Sequence, residues 1–196
     1  MTEIESNPYL ATQYLQMGNP TQQKLFSDLE EWKILKGLHG FKPLVAGTIP
    51  LGIDTTKSDV DILVQFNLPV HLIKICYAKF RFMSGFHTEE KNIENENTIL
   101  VRFHTPKFRY EIFGQKKDPT QQTAWIHMMV EAKILNLANE DFRQNLIDMK
   151  QKGTKTEIAF AHLLGFKSKP FEAIKNMKDW DDEKIRNLLK DQNFIK

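Results

Sequence analysis

Cysteine, single-sign charge and long apolar runs are all scarce in this chain, and each scarcity closes a class of function. Cys76 is the only cysteine among 196 residues, so neither an internal disulfide nor a cysteine-rich zinc site can form. No apolar stretch approaches the roughly 20 residues that a bilayer crossing needs. Met1 to Pro8 is acidic and polar, without the basic start and apolar run of a signal peptide. These gaps lead to an expectation of a soluble protein in a reducing cytoplasm, with no membrane partner. Lys and Arg number 27 against 25 Asp and Glu, a net charge of +2, so no extended nucleic-acid surface is expected. A small local phosphate site stays open. Repeats and low-complexity tracts are missing as well. What is present is ordinary globular composition, 41% hydrophobic and 27% charged, with 14 Phe and 3 Trp to fill a core.

Periodicity supplies an outline. Asn19-Pro20 reads as a helix cap with Pro at the first position, followed by Leu25, Phe26, Leu29, Trp32, Leu35 and Leu38 at helical spacing to about Gly40. Pro43 to Ala46 is a short strand candidate, and a Gly-, Pro- and Thr-rich loop runs from Gly47 to Ser58. From Asp59 to Phe66 the chain alternates, with Val60, Ile62 and Val64 on one face and Asp59, Asp61 and Leu63 on the other. Residues 68–83 read as a helix, 98–104 and 108–113 as strands around Pro106, and 86–97 as a further strand. Asp118-Pro119 repeats the cap pattern and opens a nearly all-apolar helix to about Asn139, with more helices near 141–152, 156–165 and 181–190. The expected class is α+β: a small mixed β-sheet with flanking helices over residues 1–117, then an all-helical region, 118–196, packed against it.

One segment carries chemistry. Leu44-Val45-Ala46-Gly47-Thr48 is followed by ten residues of loop and then by Asp59-Val60-Asp61-Ile62-Leu63-Val64. On a strand, Asp59 and Asp61 share a face, roughly 6.5–7 Å apart. Two carboxylates so placed suit Mg²⁺ or Mn²⁺, since hard divalent ions want oxygen ligands and such ions neutralise a triphosphate in phosphoryl transfer. Gly47 has no Cβ to block a phosphate, Thr48 offers a hydroxyl and an N–H, and Ser58 and Lys57 stand at the far end of the loop. Glu111 is the natural third carboxylate. An Asp-x-Asp alone is weak: Asp179-Trp180-Asp181 has the same spacing, yet reads as the cap and first turn of a helix. What sets Asp59 and Asp61 apart is the apolar strand beneath them and the Gly-Thr turn before them.

With those residues the chain resembles the nucleotidyltransferase superfamily, the DNA-polymerase-beta-like group. Its signature is an apolar residue, Gly and Ser, about ten variable residues, then Asp, an apolar residue, Asp or Glu and another apolar residue. Gly47-Thr-Ile-Pro-Leu-Gly-Ile-Asp54, Tyr110-Glu-Ile-Phe-Gly-Gln115 and Lys155-Thr-Glu-Ile-Ala-Phe-Ala161 also resemble a small bacterial family catalogued as a domain of unknown function. The resemblance implies a metal site on Asp59, Asp61 and Glu111, a nucleoside triphosphate as substrate, and transfer of a nucleoside monophosphate to an acceptor, a small molecule or a protein. Three departures stand out. Thr48 replaces the usual Ser, the loop Ile49 to Lys57 lacks the arginine many members place there, and the third acid is Glu instead of Asp. The alternative is a catalytically silent nucleotide-sensing or protein-binding module, toxin–antitoxin-like, on the same fold.

Other candidates have plain structural readings. His127 and Glu131, one helical turn apart, read as a buried polar pair satisfying itself. Thr154-Lys155-Thr156-Glu157 matches a capping box with Thr154 at the cap, although Lys155 at that helix start could bind phosphate. His87 and His104 lack metal-ligand spacing, Cys76 reads as an inert core thiol, and Lys175 to Arg186 reads as a solvated helix pair.

Overall fold

The computed structural model describes residues 7–196, so most of the Met1–Pro8 reading lies outside the described residues. Five strands form one sheet: β1 (Leu44–Ala46), β2 (Val60–Gln65), β3 (Ser84–Ile93), β4 (Glu96–His104) and β5 (Arg109–Gln115), in the order β1-β2-β5-β4-β3. The β2–β5 pair is parallel and the other pairs are antiparallel, a mixed sheet as expected. Helices are α1 (Pro20–Glu31), the single turn α2 (Ile34–Gly37), α3 (Pro69–Phe80), α4 (Thr123–Leu137), α5 (Glu140–Gln151), α6 (Thr156–Leu163), α7 (Pro170–Asn176) and α8 (Asp182–Asp191). The chain divides into two compact units. One takes in the chain up to Gly52 and Ser58–Gln122; the other is Ile53–Lys57 with Thr123–Lys196.

In the sheet-bearing unit, Val60, Ile62 and Val64 of β2 share a buried cluster with Ile99, Val101 and Phe103 of β4 and Tyr110 and Ile112 of β5. Helices cover that face. Leu25 and Leu29 come from α1, and Leu72, Cys76 and Phe80 come from α3 at i, i+4 and i+8. Contact with α3 is close enough that a Cβ on Gly114 of β5 would lie 2.4 Å from Leu72 Cδ2. Burial pushes the Cys76 thiol up to about 12, which keeps it inert.

The expected long helix from Asn19 is broken. Its start holds: the Asn19 side chain accepts from the Gln22 N–H, and Gln22 reciprocates at the Asn19 N–H. It stops because Lys33 takes a φ of 51°, a left-handed value that interrupts the helical ladder. The strand expected over 86–97 starts earlier and ends in a tight turn, where Glu94 and Asn95 both have positive φ.

The expected helix from Pro119 is a 3₁₀ turn, Pro119–Gln121, with α4 starting only at Thr123. Gln122 between them is extended and fully buried, because its side-chain amide donates to the Val64 and Lys117 carbonyls. In the helical unit α4 is buried nearly all round, as its composition implied. Lys155, not Thr154, occupies the cap of α6, and no side chain caps it, so the capping box is not formed. The stretch Lys175 to Arg186, read as a solvated helix pair, buries Met177 and Ile185, with Ile174 and Leu189 buried on either side of it. Asp181 caps α8 as expected, accepting from the Lys184 N–H at 2.8 Å. Among the described residues no helix is long and apolar enough to cross a membrane.

Candidate metal and phosphate site

The β2 residues that turn away from the core begin with Asp61. Register makes a row across the sheet on that side: Ala46 of β1, Asp61 of β2, Glu111 of β5, Arg102 of β4 and His87 of β3. Asp61 and Glu111 are direct partners in the parallel pair, so their Cα atoms are about one strand spacing apart. Asp59 lies one residue before β2, half exposed, on the same side by alternation.

Two of the three acids engage arginines. Glu111 Oε2 accepts from Arg102 Nε at 2.5 Å, and Asp59 Oδ1 faces Arg109 Nε at 2.5 Å. Arg102 also reaches Glu89 Oε2 through Nη1 at 3.2 Å. Burial works against the Arg102 charge, but Glu111 and Glu89 together raise its pKa above the ordinary arginine value. The three acids therefore share a face, while two are held by cations. Among the described residues no three His, Cys, Asp or Glu side chains are grouped as a metal cage.

Gly47 ends β1 with a φ of +90°, where a side chain is strained, and a Cβ there would lie 2.5 Å from Asp61 Oδ2. The absent side chain thus lets the Asp61 carboxylate pack close against the Gly47 backbone. Thr48 Oγ1 and Ser58 Oγ stand 3.1 Å apart and close the neck of the loop. Beyond Gly47 the backbone turns tightly, the Leu51 N–H donating to the Thr48 carbonyl and the Gly52 N–H to that of Ile49. The buried Gln22 amide donates to the Ile49 and Pro50 carbonyls at 3.0 and 2.9 Å, tying α1 to the loop.

Lys57 and Lys155, the cations read from the sequence as phosphate ligands, belong to the helical unit. Both are exposed; Lys155 Nζ sits 6.0 Å from the centre of the Phe171 ring. Sequence reasoning missed Arg102 and Arg109. The signal was available, since Arg109 is two residues before Glu111 on one strand and so shares its face.

A second charged cluster lies inside the helical unit. His127 does not pair with Glu131. Its Nε2 meets the Phe171 carbonyl at 3.1 Å and its Nδ1 meets Glu157 Oε1 at 3.4 Å. The expected pair fails because the Glu131 carboxyl is buried in the company of Glu157 and Lys150 instead. Burial above all, then Glu157, pushes Glu131 up to about 8, against the pull of Lys150. Burial likewise pulls Lys150 down to about 8, opposed by Glu131, Asp54 and Glu157. Burial opposes ionisation of Glu157 too, but His127, its own backbone N–H and Lys155 hold its carboxyl below the usual range.

Comparison with known proteins adds the following. A family described as Domain of unknown function (DUF4269) matches residues 27–177. No curated protein matches the chain. Among solved structures, the Cid1 poly(U) polymerase with MgGTP bound is similar at a TM-score of 0.51 and 12% identity, over 78% of this chain and 53% of that one. Cid1 in complex with the UTP analogue UMPNPP gives 0.50 and 13%, over 84% and 54%. A chain of the GLD-2/RNP-8 complex gives 0.51 and 9%, over 93% and 71%. The present chain thus spans about half the length of the Cid1 chains it matches.

Proposed function

The chain belongs to the DUF4269 family and has the fold of the nucleotidyltransferase superfamily, and from that premise we propose a divalent-cation-dependent nucleotidyltransferase. It would move a nucleoside monophosphate from a nucleoside triphosphate to an acceptor hydroxyl or phosphate. The acceptor oxygen bonds to the α-phosphorus as the bond from that phosphorus to the bridging oxygen breaks. Pyrophosphate leaves with the electron pair, and a hydroxyl acceptor's proton passes to a base.

The donor chemistry suits a hard divalent ion, though the side chains are not grouped as a cage. Asp59, Asp61 and Glu111 offer carboxylate oxygens on one face, and the missing Cβ at Gly47 lets Asp61 Oδ2 approach the backbone there. When bound, Mg²⁺ or Mn²⁺ supplies Lewis-acid charge to the triphosphate. In this reading Asp59 and Asp61 are ligands, and Glu111 is a third ligand or the base that takes the acceptor's proton. Gly47, Thr48 and Ser58 cradle phosphate. Arg102 and Arg109 stand in for the missing loop arginine: charge released from Glu111 and Asp59 becomes available to phosphate oxygens. Residues 1–117 form the nucleotidyltransferase-like part.

The observation that carries the reading is the Asp61–Glu111 register beside a glycine whose side chain would collide with the Asp61 carboxylate. The two arginine–carboxylate pairs favour a second reading, a silent nucleotide-sensing or protein-binding module whose acids are neutralised for good. Incubating each of the four labelled nucleoside triphosphates with Mg²⁺ or Mn²⁺ and an acceptor panel separates the two. Metal-dependent label transfer that disappears in Asp61→Asn supports the transferase. Label left in triphosphate, with a protein partner bound equally by wild type and Asp61→Asn, supports the module.

A further inference from the structure

A cavity of about 450 Å³ opens where β3 begins and β4 ends. That volume lies within the roughly 300–1,000 Å³ typical of small-molecule sites. Its walls are Trp32, Phe82, Met83 and Pro106, and its polar groups are Ser84, His104 and Thr105. Phe82 is 70% exposed, a large aromatic side chain left in water at the rim.

The floor is fixed and incompletely satisfied. Thr105 Oγ1 donates to Asp28 Oδ2 at 2.7 Å and accepts from the Lys107 and Phe108 N–H groups. Asp28, 0% exposed, also accepts from the Tyr110 hydroxyl at 2.8 Å. One helical turn further along, Trp32 Nε1 is buried with no acceptor.

Position links the cavity to the acids. Ser84 pairs with His104, and His104 with Arg109, which holds Asp59. His104 is two residues beyond Arg102, the partner of Glu111, so strand spacings put the His104 and Glu111 Cα atoms roughly 8 Å apart. Of the cavity residues, His104 is the one on the Arg102 face of its strand, the side that carries Glu111.

Resting on the transferase reading, we propose that this cavity seats the acceptor, an uncharged small molecule with a flat aromatic or heteroaromatic ring and a hydroxyl. The ring stacks among Trp32, Phe82 and Pro106, with Ser84, His104 and Thr105 as the polar groups around it. No Lys or Arg lines the cavity, so its chemistry selects against a phosphate-bearing occupant.

The test uses the full chain with ¹⁵N-labelled tryptophan, titrated with adenosine and with 4-methylphenol as uncharged ring-and-hydroxyl probes. At least one probe moves the Trp32 indole N–H saturably, to the same extent in wild type and Asp61→Asn. Ser84→Phe, which fills the rim from an exposed position, weakens binding at least about tenfold. Phe82→Ala removes a solvent-exposed wall without touching the core and weakens it about threefold or more. Neither probe moving Trp32 at millimolar concentration, or equal affinity in wild type and both variants, overturns the proposal. So does a shift produced by hexauridylate alone, which assigns the cavity to an RNA end. Probe binding at Trp32 without label transfer from any triphosphate removes the transferase and leaves an aromatic-ligand site.

Discussion

At Gly47 two demands meet in one residue. Its φ of +90° excludes ordinary side chains at low cost, and a Cβ would crowd Asp61 Oδ2 at 2.5 Å. Gly47→Ala is therefore expected to lower stability by about 1–2 kcal/mol. It should also weaken Mg²⁺-dependent nucleotide binding, because Asp61 must move aside. Thermal melts with and without Mg²⁺ and triphosphate check both effects; a variant that melts and binds like wild type would leave Gly47 without a role. Glu131 and Lys150 give a second prediction at this scale. Glu131 has its folded pKa raised from 4.5 to about 8, so its stabilising contribution is whole below pH 4.5 and is lost as pH rises through 8. Lys150 is lowered from 10.5 to about 8, so its contribution is present above pH 10.5 and is lost as pH falls through 8. Stability of the helical unit should thus pass through a minimum near pH 8. Denaturant melts across about pH 5–10 read this directly. Glu131→Gln should flatten the acid limb and Lys150→Met the alkaline limb; unchanged profiles in both would remove the buried pair from the account.

Among the elements, those on which the candidate site rests were the most legible. Alternation from Asp59 gave β2 with the right face, because Val60, Ile62 and Val64 enter the core while Asp61 and Gln65 stay half-buried. The Asn19 and Asp181 caps were read correctly since each depends on a few adjacent residues. Two misreadings share a cause: a distant contact outweighed a local signal. Gln122 breaks the expected helix by bonding to Val64, 58 residues away, and Glu157 leaves the Thr154 capping box for His127. The β3–β4 turn was missed because Glu94 and Asn95 hold positive φ without a glycine to signal it. Arg102 escaped notice because its relation to Glu111 exists only once β4 and β5 pair. At this scale Gln22 has the largest reach, completing the α1 cap and holding the loop after Gly47 through two carbonyls. Gln22→Ala should cost about 1–3 kcal/mol and speed hydrogen exchange at the Leu51 and Gly52 amides. Unchanged exchange there would mean that the loop keeps its shape without α1.

For the molecule as a whole, the chain is near neutral, and Asp61, Glu111 and Arg102 stand in register on one sheet face. Both the transferase and the module place a nucleotide or a partner there, and they differ in whether the arginine pairs open. Family and fold leave that choice to the site. The most direct measurement is calorimetric titration of a non-hydrolysable nucleoside triphosphate analogue with Mn²⁺, into wild type and Asp61→Asn. The account predicts binding by the wild type only when the ion is present, weakened at least about tenfold in Asp61→Asn while the variant's melt stays cooperative. Equal affinity in both proteins, or no ion-dependent binding by the wild type to any of the four bases, would contradict it.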